Sequence, residues 1–126
     1  MPNTILIIDD EPELADTCAR VLGGAGFACL LAADKGSALL LFERDHPSLV
    51  LSDITLPDGD GFEIVSYIRQ KSPNTPVVLM TAYHSSAAEQ DALDAGASAY
   101  LRKPFANSKL ISTIESLIGR PTSGSS

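Results

Sequence analysis

Five short apolar runs alternate with stretches of helical period, and this alternation is what most limits the fold. The runs are Thr4 to Ile8, Ala28 to Ala32, Leu49 to Ser52, Pro76 to Met80 and Ala99 to Arg102. Strand-like segments separated by single helices build βαβ units, so the chain is expected to form an α/β domain with a parallel sheet covered by helices on both faces. The repeat of roughly 20 to 25 residues needs no solenoid, because a doubly wound sheet already has that period.

The intervening helices carry the matching stripes. The first opens with Pro12, where a missing N–H costs nothing, presents Leu14, Cys18, Val21 and Leu22, and ends at Gly23-Gly24-Ala25-Gly26. A second, about Lys35 to Asp45, offers Ala38, Leu39 and Phe42 and stops before His46-Pro47. The third, about Gly61 to Lys71, carries Phe62, Val65 and Ile68, and the fifth, about Asn107 to Ile118, carries Leu110, Ile111, Ile114 and Leu117 or Ile118. The fourth, about Ser86 to Ala95, has mainly Ala87, Ala88, Ala92 and Leu93 to bury. Two readings stay open for it: a loosely held moving part, or a short helix packed close to the sheet.

A chain of 126 residues with 44% hydrophobic residues can bury one core. Residues 1–118 are expected to be that domain. Residues 119–126, rich in Gly, Pro and Ser, read as a flexible tail or the start of a linker. The net charge of −7 argues against direct nucleic acid binding, which needs clustered Lys and Arg. No basic stretch leads into a long apolar one, so neither a secretory signal nor a membrane span is expected, and the expected compartment is the cytoplasm. Cys18 and Cys29 fit no zinc or redox spacing and are expected to be buried free thiols.

The chemistry gathers at strand ends, where open α/β sheets present their sites. Asp53 follows the third run and opens the Pro-, Gly- and Asp-rich segment Asp53 to Gly61, which marks it as a candidate nucleophile. Asp9, Asp10 and Glu11 follow the first run. Adjacent strands lie about 5 Å apart, so these carboxylates can converge on Asp53, and clustered carboxylate oxygens call for a hard divalent cation such as Mg²⁺. Taken alone, the acidic tripeptide also reads as the cap of a helix N-terminus. Thr81-Ala82 after the fourth run supplies a hydroxyl and a backbone N–H, and Lys103 after the fifth supplies a cation, both suited to phosphoryl oxygens.

With Asp9-Asp10, Asp53, Leu56-Pro57, Asp60-Gly61, Thr81-Ala82 and Tyr100-Leu-Arg-Lys103-Pro104-Phe105 in this order, the chain resembles the response-regulator receiver family of two-component signalling from about Thr4 to Ile118. The resemblance implies a flavodoxin-like (βα)5 three-layer sandwich whose central five-stranded parallel sheet has the order 2-1-3-4-5. It implies that Asp53 accepts a phosphoryl group from a sensor histidine kinase, a phosphotransfer protein or a small acyl phosphate. It further implies that Asp10, Asp53 and the Thr55 carbonyl hold Mg²⁺, with Asp9 acting through water. Thr81 and Tyr100 would form a switch pair acting on the face made by the fourth helix, fifth strand and fifth helix, and the Lys103–Pro104 bond is cis in many relatives. Such a domain is a signalling phosphoacceptor, catalytic only toward its own phosphorylation and dephosphorylation. An output domain beyond this chain, docking to a partner, and a phosphorylation-dependent homodimer are all compatible with it.

Individual positions stand apart from the family pattern. Thr55 and Tyr83 would flank a phosphorylated Asp53 and tune its lifetime. His84 reads as a solvated loop residue, and Asp58 and Asp60 read as turn formers, with Gly59 and Gly61 for backbone freedom. Among rival classes, a phosphatase of the haloacid-dehalogenase type needs a second Asp two residues past its nucleophile, where this chain has Thr55. A flavin binder needs a phosphate-cradling Gly-rich loop, which the sequence does not offer. A receiver that docks without phosphorylation is opposed by the full set Asp9, Asp10, Asp53, Thr81 and Lys103.

Overall fold

The computed structural model describes residues 3–83 and 85–120. His84 and residues 121–126, the end of the expected tail, lie outside the described residues. The elements are β1 (Thr4–Ile8), α1 (Pro12–Gly24), β2 (Ala28–Ala32), α2 (Lys35–Asp45), β3 (Leu49–Asp53), β4 (Thr55–Leu56), β5 (Gly59–Asp60), α3 (Gly61–Lys71), β6 (Val77–Thr81), α4 (Ser86–Asp94), β7 (Ala99–Arg102) and α5 (Asn107–Ile118). Five parallel strands form one sheet in the order β2-β1-β3-β6-β7. With the two-residue strands β4 and β5 set aside as a small antiparallel hairpin, this is the expected 2-1-3-4-5 order.

Strand alternation divides the core in two. Leu6, Ile8, Val50, Val77 and Leu79 face α2, α3 and α4, where they meet Phe42, Ile64, Val65, Ile68 and Ala92. Ile5, Ile7, Leu49, Leu51, Val78 and Met80 face α1 and α5, where they meet Cys18, Leu22, Leu110 and Ile114. Successive side chains of a strand point to opposite faces, so near-continuous apolar runs are what a sheet covered on both sides requires.

Strand and helix boundaries differ from the sequence reading in specific ways. Asp53 and Thr81 are the last residues of their strands, not the residues after them, and Pro76 lies outside β6 because it has no N–H for the ladder. Its carbonyl still accepts from Val50 N–H at 3.0 Å. In α3 the buried face is Gly61, Ile64, Val65 and Ile68, an i, i+3, i+4, i+7 set, whereas the expected Phe62 is only half-buried. In α1 the buried residues are Ala15, Cys18 and Leu22, with Leu14 and Val21 at the margin. Cys29, expected to be buried, is half-buried because β2 is an edge strand, while Cys18 is buried as expected. Burial pushes both thiols up to about 11.

α4 buries Ala92 alone and is capped by Ser85, whose side chain accepts from Ala88 N–H. Its C-terminal end is tied to α3 by Arg69, whose Nε donates to Gly96 O at 3.0 Å and whose Nη2 donates to Ser98 Oγ at 3.3 Å. The same guanidinium donates to Thr75 O at 2.7 Å. Gly96 has φ +107°, a conformation that suits glycine at the end of a helix.

Candidate functional site

The parallel register places the acidic strand ends side by side. Ile8 pairs with Ser52 and Asp53 with Met80, so Asp53 reaches one residue beyond the paired end of β1 and lies beside Asp9. Asp9 is still pinned to the sheet through its N–H, which donates to Ala32 O at 3.0 Å, and Lys103 N–H donates to Thr81 O at 2.8 Å. The site's side chains therefore hang from backbone that the ladder holds still.

Lys103 joins the carboxylates. Its ammonium donates to Asp53 Oδ2 at 2.9 Å and Asp9 Oδ2 at 3.0 Å, with Glu11 Oε1 more distant at 3.5 Å. The Asp9 side chain is fully buried and the Lys103 side chain 8% exposed, so this is a desolvated ion triad. The remaining oxygens are also used: Asp9 Oδ1 accepts from Glu11 N–H at 2.9 Å and Asp53 Oδ1 from Thr55 N–H at 3.2 Å. The Lys103–Pro104 peptide is cis.

Burial, the largest influence on Asp9, holds its carboxyl above the ordinary value of 3.8, against the lowering effect of Glu11 N–H and the Lys103 ammonium. Burial also opposes the charge of Lys103, but hydrogen bonds to Asp53 and Asp9 outweigh it and hold the ammonium above its ordinary 10.5. Both directions favour a bound proton. Asp9, Asp10 and Asp53 place carboxylate oxygens within 4.8 Å of one another, with Asp10 exposed. Such a donor set, oxygen only and anionic, fits a hard divalent cation.

A cavity of about 370 Å³ opens over the triad, lined by Asp10, Glu11, Asp53, Thr55, Ala82, Tyr83 and Lys103. Thr81, 3% exposed, adjoins it, and its Oγ1 accepts from Tyr83 N–H at 3.0 Å. Tyr100 lies apart from this cavity, half-buried on β7 against the α2/α3/α4 core, and lines a second cavity of about 300 Å³ with Glu89, Arg102 and Lys109. Burial raises its phenol above the ordinary 10.0, with Glu89 acting in the same direction. Tyr83 is 81% exposed at the rim.

Two residues matter more than the sequence reading gave them. Asp58, expected as a turn former, accepts from Lys35 N–H at 2.7 Å and Gly36 N–H at 3.0 Å, capping α2 from a distance in sequence. Asp60 is the N-cap of α3 in a reciprocal capping box with Glu63, which Asp60 followed three residues later by Glu63 could have announced. The cap by Asp58 has no such local signal.

A family model described as the response regulator receiver domain matches residues 5–115. The chain is 35% identical over 122 residues to the response regulator MprA of Mycolicibacterium vanbaalenii, covering 97% of this chain and 53% of that protein. It spans about half the length of the first curated relatives it matches. A CheY-like response regulator receiver domain protein from Methanospirillum hungatei superposes with a TM-score of 0.86 at 31% identity, covering 92% of this chain and 93% of the other. A Burkholderia pseudomallei response regulator, solved with a phosphorylated aspartic acid, a calcium ion and citrate, superposes with a TM-score of 0.81 at 29% identity, covering 91% and 66%. Among the described residues, no helix is long and apolar enough to cross a membrane.

Proposed function

The chain belongs to the response regulator receiver domain family, and from that premise we propose that Asp53 is its phosphoacceptor, charged by a sensor histidine kinase or a phosphotransfer protein. The observation that carries this reading is the Lys103 ammonium held on both Asp53 and Asp9 at the floor of an acidic cavity. In the reaction, an Asp53 carboxylate oxygen forms a bond to the phosphorus of a phosphohistidine. The P–N bond breaks, and its electron pair leaves with the imidazole. The product is an aspartyl phosphate.

Asp10, Asp53 and the Thr55 carbonyl would hold Mg²⁺, with Asp9 reaching it through water. When bound, Mg²⁺ neutralises charge on the transferring phosphoryl oxygens. Lys103 then exchanges part of its contact with Asp53 for a phosphoryl oxygen, so no isolated charge is left in the buried triad. The Thr81 hydroxyl and the Ala82 N–H donate to the other oxygens. Thr55 and Tyr83, at the rim, limit the approach of hydrolytic water.

The signal leaves through Thr81 and Tyr100. Movement of Thr81 toward the phosphoryl group makes room for the Tyr100 ring, and the face formed by α4, β7 and α5 changes shape. The meagre anchoring of α4, with Ala92 alone buried, supports that reading. Output passes to a C-terminal domain or a docking partner, with homodimerisation through this face as one form of it. The receiver domain is assigned to residues 1–118, with residues 119–126 as a tail or the start of a linker, and it works in the cytoplasm without contacting nucleic acid or membrane itself.

The test is intact-protein mass spectrometry after incubation with acetyl phosphate, with and without Mg²⁺, on the wild type and Asp53→Asn. A gain of one phosphoryl group that needs both Mg²⁺ and Asp53 is expected. Incorporation by Asp53→Asn, or none by the wild type, overturns the assignment.

A further inference from the structure

The segment after Asp53 is clamped at three points. Thr55 pairs with Asp60 and Leu56 with Gly59, closing a two-step hairpin. At its base, Gly61 N–H donates to Ile54 O at 2.8 Å and Asp60 caps α3. At its tip, Asp58 spends both carboxylate oxygens on the first N–H groups of α2, Lys35 and Gly36. Those groups belong to the four that a helix leaves unsatisfied at its start, so their preference for an anion is built in. The local cap of α2 is a separate residue, Asp34, which accepts from Ser37 N–H at 2.7 Å. Thus α2 has two acidic caps, and only one of them belongs to the hairpin.

The hairpin matters because Thr55 lies on it. Thr55 N–H donates to Asp53 Oδ1, fixing the orientation of the carboxylate, and Thr55 lines the acidic cavity. The geometry points to Asp58 as a positioning residue: by fastening the hairpin tip to α2, it holds Thr55, and through it Asp53, in the arrangement that the divalent cation and the phosphoryl group require. This inference rests on the function proposed above. Asp58 touches neither ligand and acts through the two-step hairpin, whose own ladder is too short to be rigid. The Lys35 ammonium on Glu63 Oε2 at 3.2 Å is exposed and adds a weaker second tie.

Asp58→Ala and Asp34→Ala separate positioning from stability, since each removes a cap from the same helix and only the first frees the hairpin. Amide hydrogen exchange on metal-free protein is the first readout. Faster exchange at Thr55 and Asp60 in Asp58→Ala, with both amides unchanged in Asp34→Ala, is expected. The second readout is MgCl₂ titration, where Asp58→Ala should bind about tenfold more weakly, the low end of what losing an outer partner of a metal site costs. Asp58→Asn, which keeps one acceptor, should fall between wild type and Asp58→Ala. Equal effects of the two alanine variants, or none from either, overturn the inference. If the wild type binds no Mg²⁺, the proposed function fails, and the exchange readout still decides whether Asp58 positions Thr55.

Discussion

Gly61→Ala should damage the protein by adding one methyl group. A Cβ at this position would lie 2.7 Å from the Asp53 carbonyl oxygen, 2.8 Å from Leu79 Cδ2 and 3.1 Å from Ile54 Cα. Two of these neighbours are backbone and the third belongs to a side chain with 0% exposure, so none can swing away. Forcing a methyl into a filled space costs about 1–3 kcal/mol. The gain in helix propensity from Gly to Ala returns at most about 1 kcal/mol, and less in a first turn. A net loss of about 1–2 kcal/mol is therefore expected, or roughly 1 M in the urea midpoint with an unchanged slope. Because the displaced atom is the carbonyl of Asp53, phosphoryl incorporation from acetyl phosphate should slow as well. Gly23→Ala in α1 is the control, with nothing within 4 Å of its Cβ, and should stabilise by about 0.4–1 kcal/mol. A Gly61→Ala protein as stable as the wild type and as quickly phosphorylated would refute the close-approach argument.

Asp10→Ala, by relieving repulsion in the carboxylate cluster, should raise the melting temperature in chelator and abolish the stabilisation by MgCl₂, which for the wild type is about 1.4 kcal/mol at a concentration about tenfold above Kd; thermal melts with and without MgCl₂ read both. The Asp58 carboxyl is held below its ordinary 3.8 by the Lys35 and Gly36 N–H groups. Its contribution to stability is thus fully present above 3.8 and lost as pH falls through the lower folded value, so the stability gap between wild type and Asp58→Asn should close in strong acid. Carboxyl-detected NMR titration measures the value directly, and a midpoint at or above 3.8 contradicts the cap. Cys18, 2% exposed with its thiol pushed up to about 11, should resist iodoacetamide at pH 8 until the protein unfolds, as alkylation followed by mass spectrometry would reveal.

The sheet was legible because the five apolar runs have to be buried on both faces, and the site because Asp9, Asp53, Thr81 and Lys103 stand at strand ends. What escaped was set by tertiary contact. The buried stripe of α3 starts at Gly61, a residue with no side chain to register in a hydrophobic pattern, so the sequence pattern points to Phe62 and turns the face away from Ile64. Asp58 caps a helix that begins 23 residues before it, and no local pattern encodes that bond. Cys29 is the reverse case: the general tendency of cysteine to be buried points to full burial, yet β2 is an edge strand, as the expected order 2-1-3-4-5 already implies, and leaves the thiol half-buried.

The fan of hydrogen bonds from Arg69 gives α4 an unequal pair of ends. Its trailing end is riveted through Gly96 and Ser98, and its buried Ala92 lies near that end, whereas at its leading end, which follows the strand that carries Thr81, the described residues supply the Ser85 cap. A nine-residue helix at 1.5 Å per residue is about 13 Å long. A tilt of ten degrees about the riveted end would therefore sweep the leading end by roughly 2 Å while the trailing end stayed still. Such a tilt would be that of a cantilever, with the longest travel at the end that follows the strand carrying Thr81.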